Sequence, residues 1–486
     1  MTQMPTRAPT LLPVTYAGDS TAYFHTIASQ LPMALILQSD SQLPSPSSSG
    51  VIGNRRGRYD IISAQPAYWL ENHQGFCHWH GDSAPDIPLD GLDSFTCLHQ
   101  LLDRIQQHNI DYSVCLREEI PFCGGLIGYC SYDLAREYIV LGNSAAKDID
   151  LPDMQFGFYT WAYIQDHQRH QSWLVMHPDC PPDLRELLPT LLQTAANAPA
   201  ARKSLHTGHF VSSLTRSQYN QRFAKIQEYI ASGDCYQVNF SQRFSASIKA
   251  PAADIYLRMR EVMPSPFSAF LPVLGSGGDD AIISLSPERF LQLDMDRVVK
   301  TQPIKGTTPR SADPQTDRNN ASCLQQDPKN RAENLMIVDL LRNDLGRVCQ
   351  VGSIRVTDLF ELQSFANVHH LVSTITGTLA EGLNAADLLK ACFPGGSITG
   401  APKIRAMQII EELEPHRRSI YCGTIAMLSA HGTMDSSICI RTMLLKDGTI
   451  HCWGGGGIVA DSTTDSEYTE SMTKVQSLLD TLSCQQ

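Results

Sequence analysis

Three charged side chains near the C-terminal end of the sequence share one face of a predicted helix. Glu467, Glu470 and Lys474 fall at positions i, i+3 and i+7 of DSEYTESMTKVQSLLDTL, and residues at this spacing lie on one side of an α-helix. The helix follows a run of glycines at 454–457, which we expect to form a turn that exposes backbone N–H groups. Two carboxylates and an ammonium beside such groups can hold a hard cation and an anionic substrate together. A solvated charged face would have the same spacing.

A third carboxylate, Glu333, opens the predicted helix AENLMIVDL, whose other residues are mostly apolar. One interpretation is that Glu333 complements the positive end of the helix dipole. The other is that it joins Glu467 and Glu470 as a ligand of Mg²⁺, which prefers oxygen donors. The 14 cysteines are scattered singly, without the C-x-x-C pairs of zinc or redox sites. This pattern indicates buried thiols in a reducing compartment, so we expect a cytoplasmic location.

Lys305 lies in TQPIKGTTPR, between a predicted strand and a Gly-Thr turn, in a segment with little local charge. Burial there would lower its pKa and favour a neutral, nucleophilic amine, whereas a surface lysine in a turn is the alternative. Glu288 in SLSPERF follows an apolar strand, where a carboxyl with a raised pKa can donate a proton. The glycine-rich segment GGSITGAPK resembles a phosphate loop, but Gly400 is followed by Ala-Pro rather than Lys-Ser/Thr, which disfavours ATP.

The elements that must position these residues are well marked in the second half of the chain. We predict helices over SQYNQRFAKIQEYIASGD, starting at a capping Ser217, over RAENLMIVDLLRNDLGRV, closed by Gly346, and over PKIRAMQIIEELEP. Predicted strands are YQVNFSQRFSASI, AIISLSPERFLQL, RVVKTQPI, SIYCGTIAML, SSICIRTMLLK and TIHCWGGGGIVA. Because strands follow one another rather than alternating with helices, an α+β fold with antiparallel sheets is expected.

Length and composition set the organisation and exclude some partners. A chain of 486 residues predicts more than one unit: an N-terminal subdomain at 1–177, a connecting segment at 178–208 with a short leucine-rich helix, and a catalytic domain at 209–486. A Ser/Pro/Gly-rich surface loop is predicted at 41–57. The net charge of −12, with no Lys/Arg run, disfavours nucleic acid as a partner. Neither a membrane-spanning run nor a signal-peptide apolar segment is found, so no membrane partner is expected.

Five segments in the same order, PIKGT, AENLMIVDLLRND, GGSITGAPK, GGGGIV and DSEYTES-x-x-K, resemble the chorismate-utilising enzymes. The resemblance is dense over about 210–480 and weaker towards the N-terminus. It implies a large α/β sandwich in which two antiparallel sheets enclose the active site, with helices outside. It also implies Mg²⁺ held by Glu333, Glu467 and Glu470 and bridging to the ring carboxylate of chorismate. The implied substrate-binding residues are His370, Thr399, Tyr421, Arg441, Gly455, Gly456, Gly457, Lys474 and Gln237.

Two positions distinguish reactions within that family. Isochorismate and salicylate synthases carry a lysine that activates water where this chain has Gln237, so ammonia is the expected nucleophile. Anthranilate synthases carry alanine where this chain has Lys305. The lysine implies amination at ring C4: Lys305 attacks C2, Glu288 protonates the departing C4 hydroxyl, and ammonia then adds at C4. An anthranilate synthase component, or a non-catalytic subunit of the same fold, is the alternative.

The resemblance also implies two further partners. The chain has no G-x-C-x-G nucleophile elbow, so a separate glutamine amidotransferase subunit is expected to supply ammonia. A possible pocket for L-tryptophan, regulatory in some relatives and structural in others, is implied at Ser39, Arg58, Tyr59, Pro266, Phe267 and Ser268.

Overall fold

The computed structural model describes residues 7–39, 57–107, 109–195, 206–364 and 368–483. The loop predicted at 41–57 lies outside these residues except for Gly57. In the ranges given, the structure contains no helix with the length and apolar character needed to cross a membrane.

The helices of the described ranges include all those predicted above. They are α1 (Thr21–Gln30), α2 (Ser94–Gln106), α3 (Ser113–Arg117), α4 (Pro182–Ala195), α5 (Arg216–Ala231), α6 (Ala252–Val262), α7 (Pro314–Gln326), α8 (Pro328–Leu345), α9 (Ala385–Cys392), α10 (Lys403–Leu413) and α11 (Thr464–Ser483). Short 3₁₀ helices occur at Tyr132–Glu137 and Gly396–Ile398.

The strands follow in chain order. They are β1 (Thr10–Val14), β2 (Leu35–Gln38), β3 (Tyr59–Ser63), β4 (Tyr68–His73), β5 (Phe76–His80), β6 (Gly125–Cys130), β7 (Met154–Tyr159), β8 (Trp161–Asp166), β9 (Gln171–Met176), β10 (His206–Thr207), β11 (Val211–Ser212), β12 (Gln237–Lys249), β13 (Phe267–Pro272), β14 (Ala281–Ser286), β15 (Arg289–Leu293), β16 (Val298–Thr301), β17 (Ile304–Pro309), β18 (Arg355–Ser364), β19 (Val368–Thr378), β20 (Gly400–Ala401), β21 (Thr424–Ser429), β22 (Met434–Ile438), β23 (Thr442–Lys446) and β24 (Thr449–Ile458).

These strands form two large antiparallel sheets, which confirms the predicted α+β fold class. The first sheet has the order β1-β9-β8-β3-β2-β13-β14-β23-β24-β12-β10, with β11 and β20 also paired to β12. The second has the order β17-β19-β16-β15-β22-β21-β6-β7-β4-β5, with β18 also paired to β19. Strands from both predicted subdomains share each sheet, since β2 pairs with β13 and β6 with β21. The domain boundaries at 177/178 and 208/209 stay a prediction.

Two segments that the sequence predicts as single strands pass from one sheet to the other. AIISLSPERFLQL is divided into β14 in the first sheet and β15 in the second, and SSICIRTMLLK into β22 in the second and β23 in the first. The prediction of continuous strands is therefore wrong, because an apolar run does not reveal a change of sheet. The crossings lie side by side: Leu285 N donates to Arg441 O at 3.0 Å, and Ile438 N donates to Glu288 O at 3.1 Å.

Alternation along β12 turns its side chains towards two environments. Val238 and Phe240 are buried against apolar side chains of α5 and α10, including Tyr219, Ile226 and Ile409. Successive residues of a strand point to opposite faces. Gln237, Asn239 and Ser241 therefore face away from those helices.

Local capping signals fix where two of the predicted helices begin. Helix α5 is capped by Thr215, whose hydroxyl accepts from the backbone N–H of Gln218 in a capping box, so the expected cap at Ser217 is wrong. Helix α8 starts at Pro328, after Asp327 accepts a hydrogen bond from the backbone N–H of Lys329 at 2.9 Å. Glu333 consequently lies in the second turn of α8, which removes the main argument for a purely dipolar role.

Candidate active site

The glycines at 454–457 lie inside β24 in the first sheet, which confirms the strand predicted over TIHCWGGGGIVA; the turn also expected for the glycines is wrong. Helix α11 packs directly on this strand. A Cβ on Gly456 would lie 3.2 Å from Glu467 Oε2 and 3.4 Å from Glu470 Oε1. Glycine at this position therefore allows two carboxylates of α11 to approach the backbone of the sheet.

The charged face predicted for α11 is present. Glu467 is 2% exposed; its Oε1 accepts a hydrogen bond from Ser462 Oγ at 2.6 Å, and its Oε2 is buried without a hydrogen-bond partner. Lys474 Nζ lies 2.6 Å from Glu470 Oε1 and donates to the carbonyl oxygen of Gly455 at 3.0 Å. The lysine therefore ties the helix to the glycine strand.

Helix α8 adds a third carboxylate and a cation to this region. Lys329 Nζ lies 4.0 Å from Glu333 Oε1 and 3.7 Å from Glu467 Oε1. One ammonium thus lies near two of the three predicted metal ligands. Across the described ranges, no three His, Cys, Asp or Glu side chains are gathered so as to hold a metal ion. The donor set is nevertheless all oxygen, and the unpartnered Glu467 Oε2 is a buried acceptor that a cation would satisfy.

Burial and charge have different effects on the three carboxyl groups. Burial raises the pKa of Glu333, although Lys305 and Lys329 oppose the shift. Burial also raises the pKa of Glu467, against the hydrogen bond from Ser462. For Glu470, burial is outweighed by the ammonium groups of Lys474, Lys305 and Lys329 together, and its pKa is lowered. Crowded carboxylates of this kind are typical of a functional site.

Lys305 lies at an irregularity of β17, where the register with β19 shifts between Ile304 and Thr307. The next residue, Gly306, has a φ of 87°, and a Cβ there would lie 3.0 Å from the side chain of Asn330 on α8. The Lys305 side chain keeps partial exposure, yet protein surrounds most of it. Burial lowers the pKa of its amine.

The charged groups near Lys305 are those predicted from the sequence. The ammonium of Lys474 also lowers the pKa of Lys305, whereas Glu333, Glu288 and Glu470 raise it more weakly than burial lowers it. The structure thus brings Lys305, Glu288, the α11 face and Glu333 into one electrostatic neighbourhood. A lysine of lowered pKa near a buried carboxyl group can act as a nucleophile with a proton donor.

The crossings between sheets position Glu288 and Arg441. Glu288 is 5% exposed, and its Oε1 accepts a hydrogen bond at 2.8 Å from Oγ of Ser397, which belongs to the GGSITGAPK segment. Arg441 has a φ of 49°, and burial lowers the pKa of its guanidinium. Its side chain has no hydrogen bond or ion pair with the described residues, so it is available to an anion.

Four of the predicted substrate-binding residues lie on strands of the two sheets or in the segments that connect them. Thr399 is fully buried, and its hydroxyl donates to the carbonyl oxygen of Gly395 at 3.1 Å. Tyr421 is buried and stacks on Trp453 at 5.9 Å between ring centroids. His370 pairs with Thr307 across β17 and β19, and its Nδ1 lies 2.8 Å from the Thr307 hydroxyl.

Gln237, the fourth of these residues, lies against the glycine strand. Its side chain is fully buried, and both Oε1 and Nε2 lack a hydrogen-bond partner in the described structure. A Cβ on Gly457 would lie 2.2 Å from Gln237 Nε2, so the amide sits directly over that glycine. The bare backbone at 457 therefore makes room for the Gln237 amide.

The residues predicted for tryptophan lie in another part of the sandwich. A cavity of about 570 Å³ is lined by Arg58, Tyr59, Pro266, Phe267 and Ser268, among other residues. Ser39 is not among the lining residues; its N–H and hydroxyl donate to Asp60 Oδ1 at 2.8 and 3.2 Å. Arg58 is itself paired with Asp166 and Glu119, at 2.6 Å for each pair.

Sequence reasoning missed several residues of this region. Lys329 is four residues before Glu333 on α8, an i, i+4 relation that would have been visible if the helix start had been placed at Pro328. Asn239 lies on β12, where Arg418 donates to its carbonyl oxygen and Glu414 accepts from Ser241. Nothing in the local sequence indicated these three residues.

The fold thus places Lys305 and Glu288 in the same electrostatic neighbourhood as the carboxylate-rich face of α11. Residues 63–480 match the family described as chorismate binding enzyme. The chain belongs to this family.

Individual relatives within this family are similar to the chain over nearly its whole length. The chain is 43% identical to aminodeoxychorismate synthase component 1 of Escherichia coli (strain K12) over 476 residues, which cover 98% of this chain and 99% of that protein. It is 42% identical to the protein of the same name from Salmonella typhimurium, with the same coverage. The crystal structure of anthranilate synthase component I from Streptococcus pneumoniae TIGR4 has a TM-score of 0.74 at 30% identity and covers 90% of this chain and 95% of that chain.

Proposed function

We propose that this chain acts as an aminodeoxychorismate synthase component 1, which converts chorismate and ammonia into 4-amino-4-deoxychorismate for 4-aminobenzoate and folate synthesis. The observation that carries the proposal is Lys305. Its amine is made less basic by burial and lies in the electrostatic neighbourhood of Glu288 and of the α11 carboxylates. The full-length similarity to two proteins of that name supports the same reaction.

In the proposed reaction, Lys305 Nζ forms a bond to ring C2 while the ring double bonds shift and the C4–O bond breaks. Glu288 gives a proton to the departing hydroxyl, which leaves as water. Ammonia then forms a bond to C4, the double bonds return, and the C2–N bond to Lys305 breaks. The amine is regenerated, and the net change is replacement of the C4 hydroxyl by an amino group.

Substrate binding is assigned to the cationic and backbone groups around this pair. Arg441, which has no partner among the described residues, and Lys474 would bind carboxylates of chorismate together with the N–H groups of 455–457. Tyr421 would contribute to the same carboxylate sites, and Thr399 and His370 would line the ring pocket. Such individually placed cations are what a chain of net charge −12 requires to hold an anion.

We propose Mg²⁺ as the cofactor, with Glu333, Glu467 and Glu470 as the residues that would hold it. When bound, the ion would neutralise the ring carboxylate and anchor it. The oxygen-only donor set and the unpartnered Glu467 Oε2 support this assignment.

Ammonia is proposed to come from a separate glutamine amidotransferase subunit, since the sequence has no nucleophile elbow for glutamine hydrolysis. The name component 1 of the two relatives supports a partner component. The cysteines of the described chain are free thiols, which supports a cytoplasmic location.

We also propose the cavity at Arg58 and Phe267 as a site for L-tryptophan, to be tested by equilibrium dialysis with labelled tryptophan.

The proposal is tested by incubating the purified chain with chorismate, Mg²⁺ and an ammonium salt, with product identification by chromatography and mass spectrometry. We expect 4-amino-4-deoxychorismate without anthranilate. Anthranilate as the main product would establish the alternative reaction, and no conversion of chorismate would favour a non-catalytic subunit.

A further inference from the structure

A second carboxamide accompanies Gln237 on the inner face of β12. Asn239 is two residues further along the strand and therefore shares a face with Gln237, while Val238 and Phe240 are packed against helices on the other side. Asn239 is 7% exposed, and its Nδ2 has no hydrogen-bond partner in the described structure. With the two orphaned atoms of Gln237, one strand face presents three unpaired polar atoms of uncharged side chains.

The backbone of Asn239 is held from two sides. Its N–H donates to the carbonyl oxygen of Thr399 at 2.9 Å, and its carbonyl oxygen accepts from Arg418 Nη2 at 2.5 Å. The Arg418 guanidinium lies 5.7 Å from the ring centroid of Tyr421. The backbone of Asn239 is thus held by Thr399 and Arg418, and the guanidinium of Arg418 also lies near Tyr421.

The polar groups of Arg418, Glu414 and Ser241 around Asn239 have hydrogen-bond partners, whereas Nδ2 of Asn239 has none in the described structure. Arg418 and Glu414 form a buried pair at 2.7 Å, and Glu414 Oε1 accepts from both N–H and Oγ of Ser241 at 2.8 Å. The next inward-facing residue of the strand therefore has its polar groups paired. Buried donors without partners are rare because they lose hydrogen bonds to water without replacement. A ligand that supplies an acceptor to Asn239 removes that penalty.

We propose that Asn239, together with Gln237, binds an uncharged oxygen group, a hydroxyl or ether, on the ring of the substrate. The carboxamides present two donors and one acceptor and carry no charge, which suits such a group and does not suit a carboxylate. The carboxylates of the substrate would bind to Arg441 and Lys474 instead. Asn239 is therefore a substrate-recognition residue, and this role rests on the proposed function of the site.

The test compares Asn239→Leu, which keeps the size of the side chain and removes both polar atoms, with the wild-type chain. Binding of chorismate is measured without ammonium by isothermal titration calorimetry, and unfolding is followed by urea titration. We expect the dissociation constant for chorismate to rise about tenfold, the loss of one hydrogen bond to a ligand. We expect the ligand-free variant to be at least as stable as the wild type, because a buried orphan donor has been removed.

The control is Asn220→Leu, at an exposed position of α5, which should leave chorismate binding unchanged. Equal binding of chorismate by the wild type and Asn239→Leu would overturn the inference. A clear loss of stability in the ligand-free variant would also overturn it, because that result indicates a structural role. If the wild type itself binds no chorismate, the proposed function fails instead, so the two failures are distinguishable.

Discussion

The most informative single substitution for the fold of the site is Arg418→Met. Arg418 is 2% exposed and donates to Glu414 Oε2 at 2.9 Å, to Glu414 Oε1 at 2.7 Å, and to the carbonyl oxygens of Ile398 at 3.1 Å and Asn239 at 2.5 Å. Although burial disfavours its charged form, the Glu414 carboxylate holds the pKa of Arg418 above its usual value. Methionine fills similar space and provides none of these donors.

The expected cost follows from what the substitution leaves behind. Glu414 is 5% exposed, so its carboxylate becomes a buried charge that keeps only the hydrogen bonds from Ser241. Breaking a buried ion pair by removing one partner costs about 3–5 kcal/mol. The two carbonyl oxygens also lose their charged donor. We therefore expect the free energy of unfolding to fall by about 3–5 kcal/mol, with a lower kcat/KM for chorismate because Asn239 is no longer held.

Urea denaturation followed by circular dichroism measures the first effect. Arg342→Met is the matched control, because Arg342 forms an exposed i, i+3 pair with Asp339 at 2.9 Å, for which we expect a change within about 0.5 kcal/mol. The double variant Arg418→Met/Glu414→Leu removes the orphaned charge and should cost less than the sum of the two single variants. A loss below about 1 kcal/mol in Arg418→Met would refute the view that this pair supports the pocket.

Three further predictions concern the carboxylates, the glycine strand and the lysine. Lys329→Met should lower the Mg²⁺ concentration that gives the half-maximal change in the intrinsic tryptophan fluorescence of the chain, because the ammonium of Lys329 lies within 4.0 Å of two proposed Mg²⁺ ligands. A higher half-maximal Mg²⁺ concentration in the variant would contradict competition between this ammonium and Mg²⁺. Gly454→Ala should lower Tm, because its Cβ would lie 2.3 Å from a backbone oxygen of α11, whereas Gly278→Ala, with its nearest atom at 3.8 Å, should not; equal Tm values would disprove the close packing. The Lys305 amine, whose pKa burial lowers, becomes neutral at lower pH than that of Lys225, whose pKa is raised by the hydrogen bond to Glu228. Lys305 should therefore react with an amine-selective reagent at lower pH, and labelling that follows the same pH curve at both lysines would contradict this.

The parts of the site that could be predicted are those whose signal is local. The spacing of Glu467, Glu470 and Lys474 placed them on one helix face, and the structure has all three on α11. The stop signal at Gly346 correctly marked the end of α8. Helical periodicity and caps depend on neighbours within a turn or two, so one sequence carries them.

The parts that could not be predicted depend on contacts between distant segments. Nothing in ICIRTM marks the crossing between sheets at Arg441, a non-glycine residue with a φ of 49°. The glycines at 454–457 were expected to form a turn, whereas the close approach of α11 explains why glycine is needed in a strand there. The support of Asn239 by Arg418 joins residues 179 positions apart, and no periodic pattern reports such a pair.

The central claim is that Lys305 forms a covalent bond to the ring during the reaction. The most direct measurement is intact-protein and peptide mass spectrometry of the chain quenched after incubation with chorismate and Mg²⁺ but without ammonium. The account predicts an adduct on Lys305 with the mass of chorismate less one water, and its disappearance when ammonium is added before the quench. The account would be contradicted by two results together. The first is a wild-type chain that makes 4-amino-4-deoxychorismate with ammonium yet never carries this adduct, and the second is a Lys305→Ala variant that reacts at the wild-type rate.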